Sequence, residues 1–262
     1  MNDSNVRTAF ITGASSGLGK AFAQRLADQG YSLVLVARRK DVLDDLSYKL
    51  RQRFSISTET IKADLSESDG IELVQNRIAE FTSLDILINN AGFGTAGKFA
   101  EIEIEKHLDM VHVHVIAAFR FCRAALPGMI AQRKGNIINV SSLAAFMPLS
   151  GRVTYCATKA TLVTYSQALA TELRRTGIRI QALCPGFTYT GFHDTPELEG
   201  FNRSDIPRIM WSTAEEVVSA SLKALDHNKV ICVPGVANQF LAAFARNNLT
   251  FPLLRALLKK MV

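Results

Sequence analysis

The chain has 262 residues, of which 48% are hydrophobic and 21% charged, the ordinary composition of a soluble globular protein. That length suits one α/β unit built around a single sizeable core. The 30 lysines and arginines outnumber the 24 acidic residues and give a net charge of +6. Because no Lys/Arg run with interleaved aromatic residues occurs, we favour a solvated basic surface, and nucleic acid is not a predicted partner.

Four cysteines lie far apart in the chain, at Cys122, Cys156, Cys184 and Cys232. They form no CxxC pair and no Cys/His cluster, so we predict free thiols, no disulfide framework and no metal site. The first five residues lack a basic region followed by an apolar one, and no uninterrupted apolar run reaches bilayer-spanning length. We therefore expect a cytoplasmic protein.

Short β-rich runs alternate with longer helical patterns along the chain. In chain order, we predict strand 6–12, helix 17–29, strand 31–37, helix 41–54, strand 57–63, helix 68–81, strand 84–89, helix 104–133 with Pro127 near its end, strand 135–141, helix 155–176, strand 179–184 and strand 230–233. This order predicts an α/β fold, a Rossmann-like doubly wound parallel sheet of about seven strands flanked by helices. Because no repeat or linker divides the chain, we predict a single domain over residues 1–262.

The predicted turn between the first strand and the first helix is rich in glycine, with the sequence TGASSGLG at residues 12–19. Gly13 permits a sharp turn, Gly17 lets the backbone approach a pyrophosphate, and Gly19 lets the helix pack closely on the sheet. The amide groups at the helix N-terminus then face the phosphates. A tight structural turn is the alternative, but the position of the loop favours a dinucleotide site. Its predicted members are Gly13, Ser15, Ser16, Gly17, Leu18 and Gly19.

The second predicted strand ends in Arg38 and Arg39, and no acidic residue follows until Asp41. In dinucleotide-binding units an acidic residue at this place holds the ribose hydroxyls of NAD, whereas an arginine neutralises the 2′-phosphate of NADP. Two solvated arginines at a strand end are the alternative. The pair predicts NADP (NADPH) as the cofactor.

Six motifs follow one another along the chain: TGASSGLG at 12–19, Asp64 after strand three, NNAG at 89–92, Ser141–Ser142 at a strand end, YCATK at 155–159 and PGFTYT at 185–190. In these motifs the sequence resembles the short-chain dehydrogenase/reductase family over nearly its whole length, and within it an NADP-preferring bacterial-type reductase subgroup. It is also similar to hydroxysteroid dehydrogenases and ketoacyl reductases.

The resemblance implies the rest of the cofactor site. Asp64, followed by Leu65, would bind the adenine, and Asn90, with Ala91 and Gly92, would line the cleft. Four residues of PGFTYT would hold the nicotinamide carboxamide: Pro185, Gly186, Thr188 and Thr190. The resemblance also implies a homodimer or homotetramer whose interface uses helices 104–133 and 155–176.

Tyr155 and Lys159 lie four residues apart on a predicted helix and therefore share one face. A free phenol has a pKa of about 10, and we expect the nearby ammonium, with a positively charged nicotinamide, to lower it. Tyr155 would then be the general acid/base, and Ser142 would hydrogen-bond the substrate oxygen. The resemblance implies that Tyr155 and Lys159 also contact the cofactor, Lys159 at the nicotinamide ribose. A surface tyrosine and lysine with a capping serine are the alternative.

Family members usually carry an asparagine where this sequence has His114, in the long helix before strand five. The resemblance implies that the asparagine distorts the helix so that a backbone carbonyl holds a water connected to the lysine. His114 is therefore a fourth predicted catalytic residue, which either keeps this backbone role or adds its own proton acceptor to the relay. Because His107 and His112 lie nearby, the placement is open to a two-residue error.

Residues 191–211 mix aromatic and apolar side chains with charges, and in the family this region carries the substrate lid. We predict an apolar pocket beneath it, also lined by residues 143–149. Residues 236–262 are an amphipathic C-terminal extension, with two short helices broken at Pro252. We expect the extension to pack across a subunit interface or over the cleft, and peripheral membrane contact is the alternative.

Together these features predict an NADP(H)-dependent oxidoreductase that transfers hydride between nicotinamide and a carbonyl or secondary alcohol substrate. We expect this small molecule to be lipophilic or of medium size. A membrane-peripheral lipid or sterol ketoreductase and a catalytically silent NADP-binding regulator are the alternatives. Ser142, Tyr155 and Lys159 argue against a silent protein, and only His114 argues for one.

Overall fold

The computed structural model describes residues 7–194, residue 198 and residues 202–246. Predictions for lid residues 195–197 and 199–201 and for residues 247–262, including the break at Pro252, lie outside the described residues. The strands are β1 (Thr8–Thr12), β2 (Ser32–Ala37), β3 (Thr58–Lys62), β4 (Ile86–Asn89), β5 (Gly135–Val140), β6 (Ile178–Leu183), β7 (Phe187–Tyr189), β8 (Trp211–Thr213) and β9 (Ile231–Cys232). The helices are α1 (Gly17–Asp28), α2 (Lys40–Phe54), α3 (Ser68–Ala79), α4 (Ile104–Val111), α5 (Ala117–Gln132), α6 (Val153–Glu172), α7 (Ala214–Asp226) and α8 (Val236–Arg246).

One sheet of seven parallel strands forms the centre of the molecule, in the order β3-β2-β1-β4-β5-β6-β9. The predicted Rossmann-like architecture is confirmed, and the strands lie where the sequence predicts them. The strand order reverses between β1 and β4, so the carboxyl ends of these two neighbours face a crevice. In open parallel sheets this is where ligands bind.

Each face of the sheet is covered by helices, which explains why the strands are apolar on both sides. Successive side chains of a strand point to opposite faces of the sheet, because the strand repeats every two residues. Leu33 and Leu35 of β2 join a core with Phe22 of α1 and Val217 of α7. Val34 and Val36 join a second core, formed with α3, α5 and α6, which includes Phe121.

The long helix predicted at 104–133 is present, but it is interrupted. Between α4 and α5 the backbone forms a π-helical turn over His112–Ile116. The continuous stretch Ile104–Gln132 is long and apolar enough to cross a membrane by length and composition. It packs instead against α3 and α6 and buries Phe121 and Met129 in the core, so it is an interior helix of the fold.

One helix and two short strands in the described residues were not predicted: α7, β7 and β8. Helix α7 begins with a capping box, in which the Thr213 side chain accepts from the N–H of Glu216 while Glu216 accepts from the N–H of Thr213. The sequence Thr-x-x-Glu could have revealed this helix. Strands β7 and β8 pair in parallel, outside the main sheet, and connect the end of β6 to α7.

Candidate active site

The carboxyl ends of β1 and β4 bring the glycine-rich loop and the NNAG segment together. The Thr12 hydroxyl accepts hydrogen bonds from the N–H groups of Asn90 and Ala91, at 2.9 and 3.0 Å. The Asn90 side chain donates to the carbonyl oxygens of Thr12 and Gly13, at 2.8 and 3.2 Å. These bonds hold the two loops as one rigid wall of the crevice.

The glycines of the loop are required by close backbone contacts. Gly13 and Gly17 have positive φ, +65° and +52°, a conformation that other residues rarely adopt. A Cβ on Gly13 would stand 2.8 Å from Cα of Ala91, and one on Gly19 would stand 2.2 Å from the carbonyl oxygen of Gly13. Helix α1 starts at Gly17, directly after Ser16, so its first N–H groups lie at the loop and can hold an anion.

Arg38 and Arg39 lie at the end of β2, beside the glycine-rich loop. Arg39 donates a hydrogen bond to the Ser15 hydroxyl at 3.1 Å. Arg38 forms an exposed ion pair with Asp64 at 3.9 Å. The Asp64 carboxylate also accepts from the N–H and the hydroxyl of Ser66, so its position is fixed. The structure thus brings Arg38 and Arg39, both predicted to bind the 2′-phosphate, to the same edge of the crevice. Asp64, predicted to bind the adenine, and Ser15, predicted to bind the phosphates, lie beside them.

The PGFTYT segment crosses the opposite side of the crevice. The carbonyl of Pro185 accepts from the N–H of Leu143, directly after Ser142. Thr188 is buried in β7 and donates to the Gly186 carbonyl at 3.1 Å. Thr190 reaches the glycine-rich loop, since a Cβ on Gly17 would stand 3.4 Å from Cβ of Thr190.

Gly186 is in direct contact with helix α8. A Cβ on Gly186 would stand 2.6 Å from Cγ of Asn238, so any side chain at residue 186 would force the Asn238 side chain to move. Asn238 is buried, and its side chain donates to the Pro234 carbonyl at 3.0 Å. The first turn of α8 therefore packs against the loop that follows β6, in which Gly186 lies.

Lys159 is buried beneath the crevice and tied to the end of β5. Its ammonium group donates to the carbonyl of Val140 at 3.0 Å, and its own carbonyl accepts from the Ser141 hydroxyl at 2.7 Å. The Lys159 nitrogen lies 5.7 Å from the centre of the Tyr155 ring. Burial lowers the pKa of Lys159 to about 7. A proton on this lysine is therefore exchangeable near neutral pH.

Tyr155 is half-buried on α6, and Ser142 lies within hydrogen-bonding range of it. Burial raises the pKa of the Tyr155 phenol, and the Ser142 hydrogen bond and the positive charge of Arg152 oppose this by less. The direction differs from our expectation that the lysine would lower this pKa, because loss of hydration dominates for the protein alone. The Ser142 oxygen accepts from the N–H of Ala144 at 3.2 Å, which leaves the Ser142 hydroxyl proton to be donated.

His114 lies in the π-helical turn, deeply buried beside Lys159. Its Nε2 accepts from the N–H of Phe93 at 3.2 Å, and its Nδ1 lies 2.9 Å from the Thr158 hydroxyl oxygen. Because Thr158 donates its own proton to the Tyr155 carbonyl, Nδ1 must be the donor to Thr158. Burial, then the charge of Lys159, hold the pKa of His114 well below its usual value. The imidazole is therefore neutral, with both nitrogens engaged.

The two neighbouring histidines lie at other loops. His112 contacts the Ser66 carbonyl through Nδ1, and His107 contacts the Thr154 hydroxyl and the Phe99 carbonyl. Of the three histidines of this segment, His114 is the one that contacts both Gly92 of the NNAG segment and Thr158 of α6.

Apolar groups from the lid lie opposite Tyr155. The Phe192 ring is centred 6.0 Å from the Tyr155 ring. A Cβ on Gly94 would stand 3.2 Å from Phe192 and 3.7 Å from the buried Leu198, so both lid residues lie over Gly94. We expected residues 143–149 to line this pocket, but Leu143 and Met147 are instead buried in a small core with Ala242 and Ala245 of α8.

Comparisons with known proteins agree with this geometry. A family model described as short chain dehydrogenase matches residues 7–197. An uncharacterized oxidoreductase of Staphylococcus epidermidis is 30% identical over 225 residues, covering 86% of this chain and 94% of that protein. A short-chain dehydrogenase from Sphingobium yanoikuyae in complex with NADPH is 33% identical, with a TM-score of 0.83 over 91% of this chain and 92% of that one.

A second solved structure belongs to a ketone-specific enzyme. The bulky-bulky ketone specific alcohol dehydrogenase from Comamonas testosteroni is 32% identical, with a TM-score of 0.79 over 98% of this chain and 95% of that one.

Among the described residues no cluster of metal-ligating side chains occurs.

Proposed function

The chain belongs to the short-chain dehydrogenase family and is an oxidoreductase, and from this premise we propose that it reduces an apolar ketone or aldehyde with NADPH, or oxidises the corresponding alcohol. The observation that carries the proposal is the meeting of three groups at one point of the crevice. Tyr155 and Lys159 on α6 lie beside Ser142, which follows the end of β5.

The residues present fit a dinucleotide. Gly13 and Gly19 lie where any side chain would close the loop against the backbone, and the N–H groups at the start of α1 are placed for a pyrophosphate. Asp64, Asn90 and Thr188 would complete the site along the crevice. The bound nicotinamide supplies or accepts the hydride.

Tyr155 holds the proton for the substrate oxygen in this proposal. Because burial raises the pKa of its phenol, Tyr155 is protonated at neutral pH and suits the role of general acid in reduction. Ser142 would donate a hydrogen bond from its hydroxyl to the same oxygen and stabilise developing negative charge. Lys159, with a pKa of about 7, could return a proton towards Tyr155 after each turnover.

The preference for NADPH over NADH rests on Arg38 and Arg39. The Arg39–Ser15 hydrogen bond places a guanidinium next to the phosphate-binding loop, where an anionic 2′-phosphate would meet it. The Sphingobium yanoikuyae relative was solved with NADPH, which supports the same cofactor for this chain.

We assign His114 a positioning role. In the neutral state its Nε2 accepts from Phe93 and its Nδ1 donates to Thr158, so neither nitrogen is free to receive a proton from Lys159. By holding Thr158 and the π-helical turn, His114 would fix the residue next to Lys159. Membership of the proton relay is the alternative, and the two roles differ in their pH–rate profiles.

The substrate class follows from the lid. Phe192 and Leu198 cover the space above Tyr155, and both are apolar. The Comamonas testosteroni relative is a bulky-bulky ketone specific alcohol dehydrogenase, which supports a bulky ketone as the substrate here.

An exposed apolar row on the helices supports an oligomer. Ile104 and Leu108 of α4 and Val153 of α6 are exposed, while Phe119 and Tyr165 stack between α5 and α6. A homodimer or homotetramer that buries this surface, in the cytoplasm, is the assembly that we propose.

The test is a turnover screen of apolar ketones and aldehydes with NADPH and NADH, comparing the wild type with Tyr155→Phe. We expect NADPH oxidation that depends on ketone and falls by at least about a hundredfold in the variant. Retained NADPH binding and an unchanged melting temperature would show that the variant is folded. If no substrate gave turnover that depends on Tyr155, the catalytic proposal would be wrong and a binding protein would be the better explanation.

A further inference from the structure

One face of helix α6 carries three titratable side chains in a line. Arg152 is the N-cap residue of the helix, and Tyr155 and Lys159 follow it at intervals of three and four residues. Lys159 is buried, whereas Tyr155 and Arg152 are half-buried. The positive charge of Arg152 acts on the pKa of Tyr155, so the guanidinium lies near the phenol. Arg152 therefore lies on the side of Tyr155 that is away from the buried Lys159.

The backbone beside Arg152 is fixed against the loop that follows β4. The N–H of Gly97 donates to the carbonyl of Gly151 at 3.2 Å, and Gly151 has a positive φ of +71°. Gly97 comes three residues after Gly94, which the lid residue Phe192 covers. Because three residues span at most roughly 11 Å, the lid and the turn before α6 meet the same short loop. Arg152 is thus held at the edge of the space that the lid covers.

The charge of Arg152 has no partner within the part of the chain that the structure describes. Its side chain makes no hydrogen bond and no ion pair there. Burial lowers the pKa of the guanidinium, because the group loses water and gains no anion in exchange. Lys98, directly after Gly97, is paired with Glu101 at 2.8 Å. A half-buried cation without a partner, next to Tyr155, indicates a place for an anionic group of a ligand.

We propose that Arg152 binds a carboxylate of the substrate, so that the substrate is an oxo acid with an otherwise apolar body. This inference rests on the proposed function and narrows its substrate class. A planar guanidinium matches a carboxylate through two parallel N–H···O bonds. One guanidinium balances one negative charge, whereas a phosphate dianion would need a second cation, and Lys98 is already engaged by Glu101.

The carboxylate takes no part in the reaction itself. The ketone carbon accepts hydride from NADPH, the ketone oxygen accepts the Tyr155 proton, and the products are a hydroxy acid and NADP⁺. Arg152 is therefore a binding residue, which should act on the affinity for the substrate more than on the rate of the chemical step.

The test compares oxo acids with their neutral methyl esters as substrates of the full chain with NADPH. The acids are phenylglyoxylate, 3-benzoylpropanoate and 4-benzoylbutanoate, in which the ketone lies progressively farther from the carboxylate. In the wild type, kcat/KM for the best acid should exceed that for its ester about tenfold or more. Arg152→Met should lower the value for that acid about tenfold to a hundredfold, mainly by raising KM.

Two further variants separate recognition by Arg152 from a general effect of charge. Lys98→Met removes one positive charge from the neighbouring loop and should keep the wild-type ratio of acid to ester. Arg152→Lys keeps the charge but loses the paired hydrogen bonds, so its ratio should fall between those of the wild type and Arg152→Met. Equal losses for acid and ester in a folded Arg152→Met, or a lower kcat with an unchanged KM, would overturn the proposal.

Calorimetry with 4-phenylbutanoate, a carboxylate without a ketone, distinguishes failure of this inference from failure of the proposed function. We expect the wild type to bind it in the presence of NADP⁺ and Arg152→Met to bind it at least about tenfold more weakly. Such binding without turnover of any ketone would keep the carboxylate site and reject the reductase. Turnover of neutral ketones that depends on Tyr155, with equal binding of 4-phenylbutanoate by both proteins, would keep the reductase and reject the site.

Discussion

Gly92 is so close to His114 that a Cβ on residue 92 would stand 2.8 Å from Nε2 of the imidazole. The same atom would stand 3.4 Å from the Lys159 nitrogen. The NNAG segment, the π-helical turn and Lys159 therefore meet at one glycine. Residue 92 has no space for a side chain as long as residue 114 is a histidine in this position.

Gly92→Ala should therefore be destabilising, by about 1–3 kcal/mol, because the surrounding groups are buried and cannot move away freely. Asparagine is shorter than histidine, so the double variant Gly92→Ala/His114→Asn should recover part of the loss. Thermal or urea unfolding of the two single variants and the double variant measures this coupling. Strictly additive effects would show that His114 is not the group in contact with residue 92.

His114→Asn should lower kcat without moving the apparent pKa values of the pH–rate profile. The reason is that His114 stays neutral across the working range, since its pKa lies well below the usual value. Loss of the hydrogen bond to Thr158 should cost about fivefold in kcat. Thr158→Val removes the same bond from the other side and should behave alike. A shifted profile in His114→Asn alone would place the imidazole in the proton relay.

Lys159 should leave a signature in the pH dependence of stability. Its pKa of about 7 in the folded protein is far below the value of about 10.4 for an unfolded lysine. Between these values the unfolded chain binds more protons, so the free energy of unfolding contributed by Lys159 rises with pH, by at most about 1.4 kcal/mol per unit. Below pH 7 both states are protonated and this slope disappears.

Urea unfolding between about pH 7 and pH 9 should therefore show a steeper rise for the wild type than for Lys159→Met. Lys223→Met, which changes an exposed lysine of α7, is the control and should keep the wild-type slope. Parallel curves for the wild type and Lys159→Met would mean that Lys159 keeps an ordinary pKa in the folded protein. The activity of Lys159→Met should be lost at every pH.

Arg38→Asp/Arg39→Ala should shift the cofactor preference from NADPH towards NADH. Without the guanidinium groups a 2′-phosphate loses its partners, and an aspartate at the strand end suits ribose hydroxyls. We expect the KM for NADPH to rise about tenfold to a hundredfold and the KM for NADH to fall or stay unchanged. Arg51→Ala on α2 controls for loss of surface charge. An intact NADPH preference would show that these arginines do not determine it.

The sheet could be predicted because its signals are local. A buried parallel strand such as β2 is an uninterrupted apolar run, and the glycines at 13, 17 and 19 follow β1 directly. Lys159 and Tyr155 could be paired because helical spacing alone puts them on one face.

The rest of the site depends on contacts distant in sequence. Nothing near Lys159 indicates that its ammonium group donates a hydrogen bond to the Val140 carbonyl. Nothing near His114 indicates Phe93 and Thr158 as its hydrogen-bond partners. The five-residue π-helical turn hardly alters helical periodicity, so the pattern of 104–133 predicts a regular helix. The rise in the pKa of Tyr155 likewise comes from burial, which local sequence does not reveal.

The contact between Asn238 and Gly186 bears on where the chain can be shortened. Residues 236–262 follow the last strand of the sheet as a C-terminal extension, so residue 235 is an obvious place to end a shortened chain. Such a chain would expose Gly186 and the small core of Leu143 and Met147, and would free the loop that follows β6. Helix α8 therefore supports the loop that follows β6, and deletions or fusions should be made only beyond Arg246.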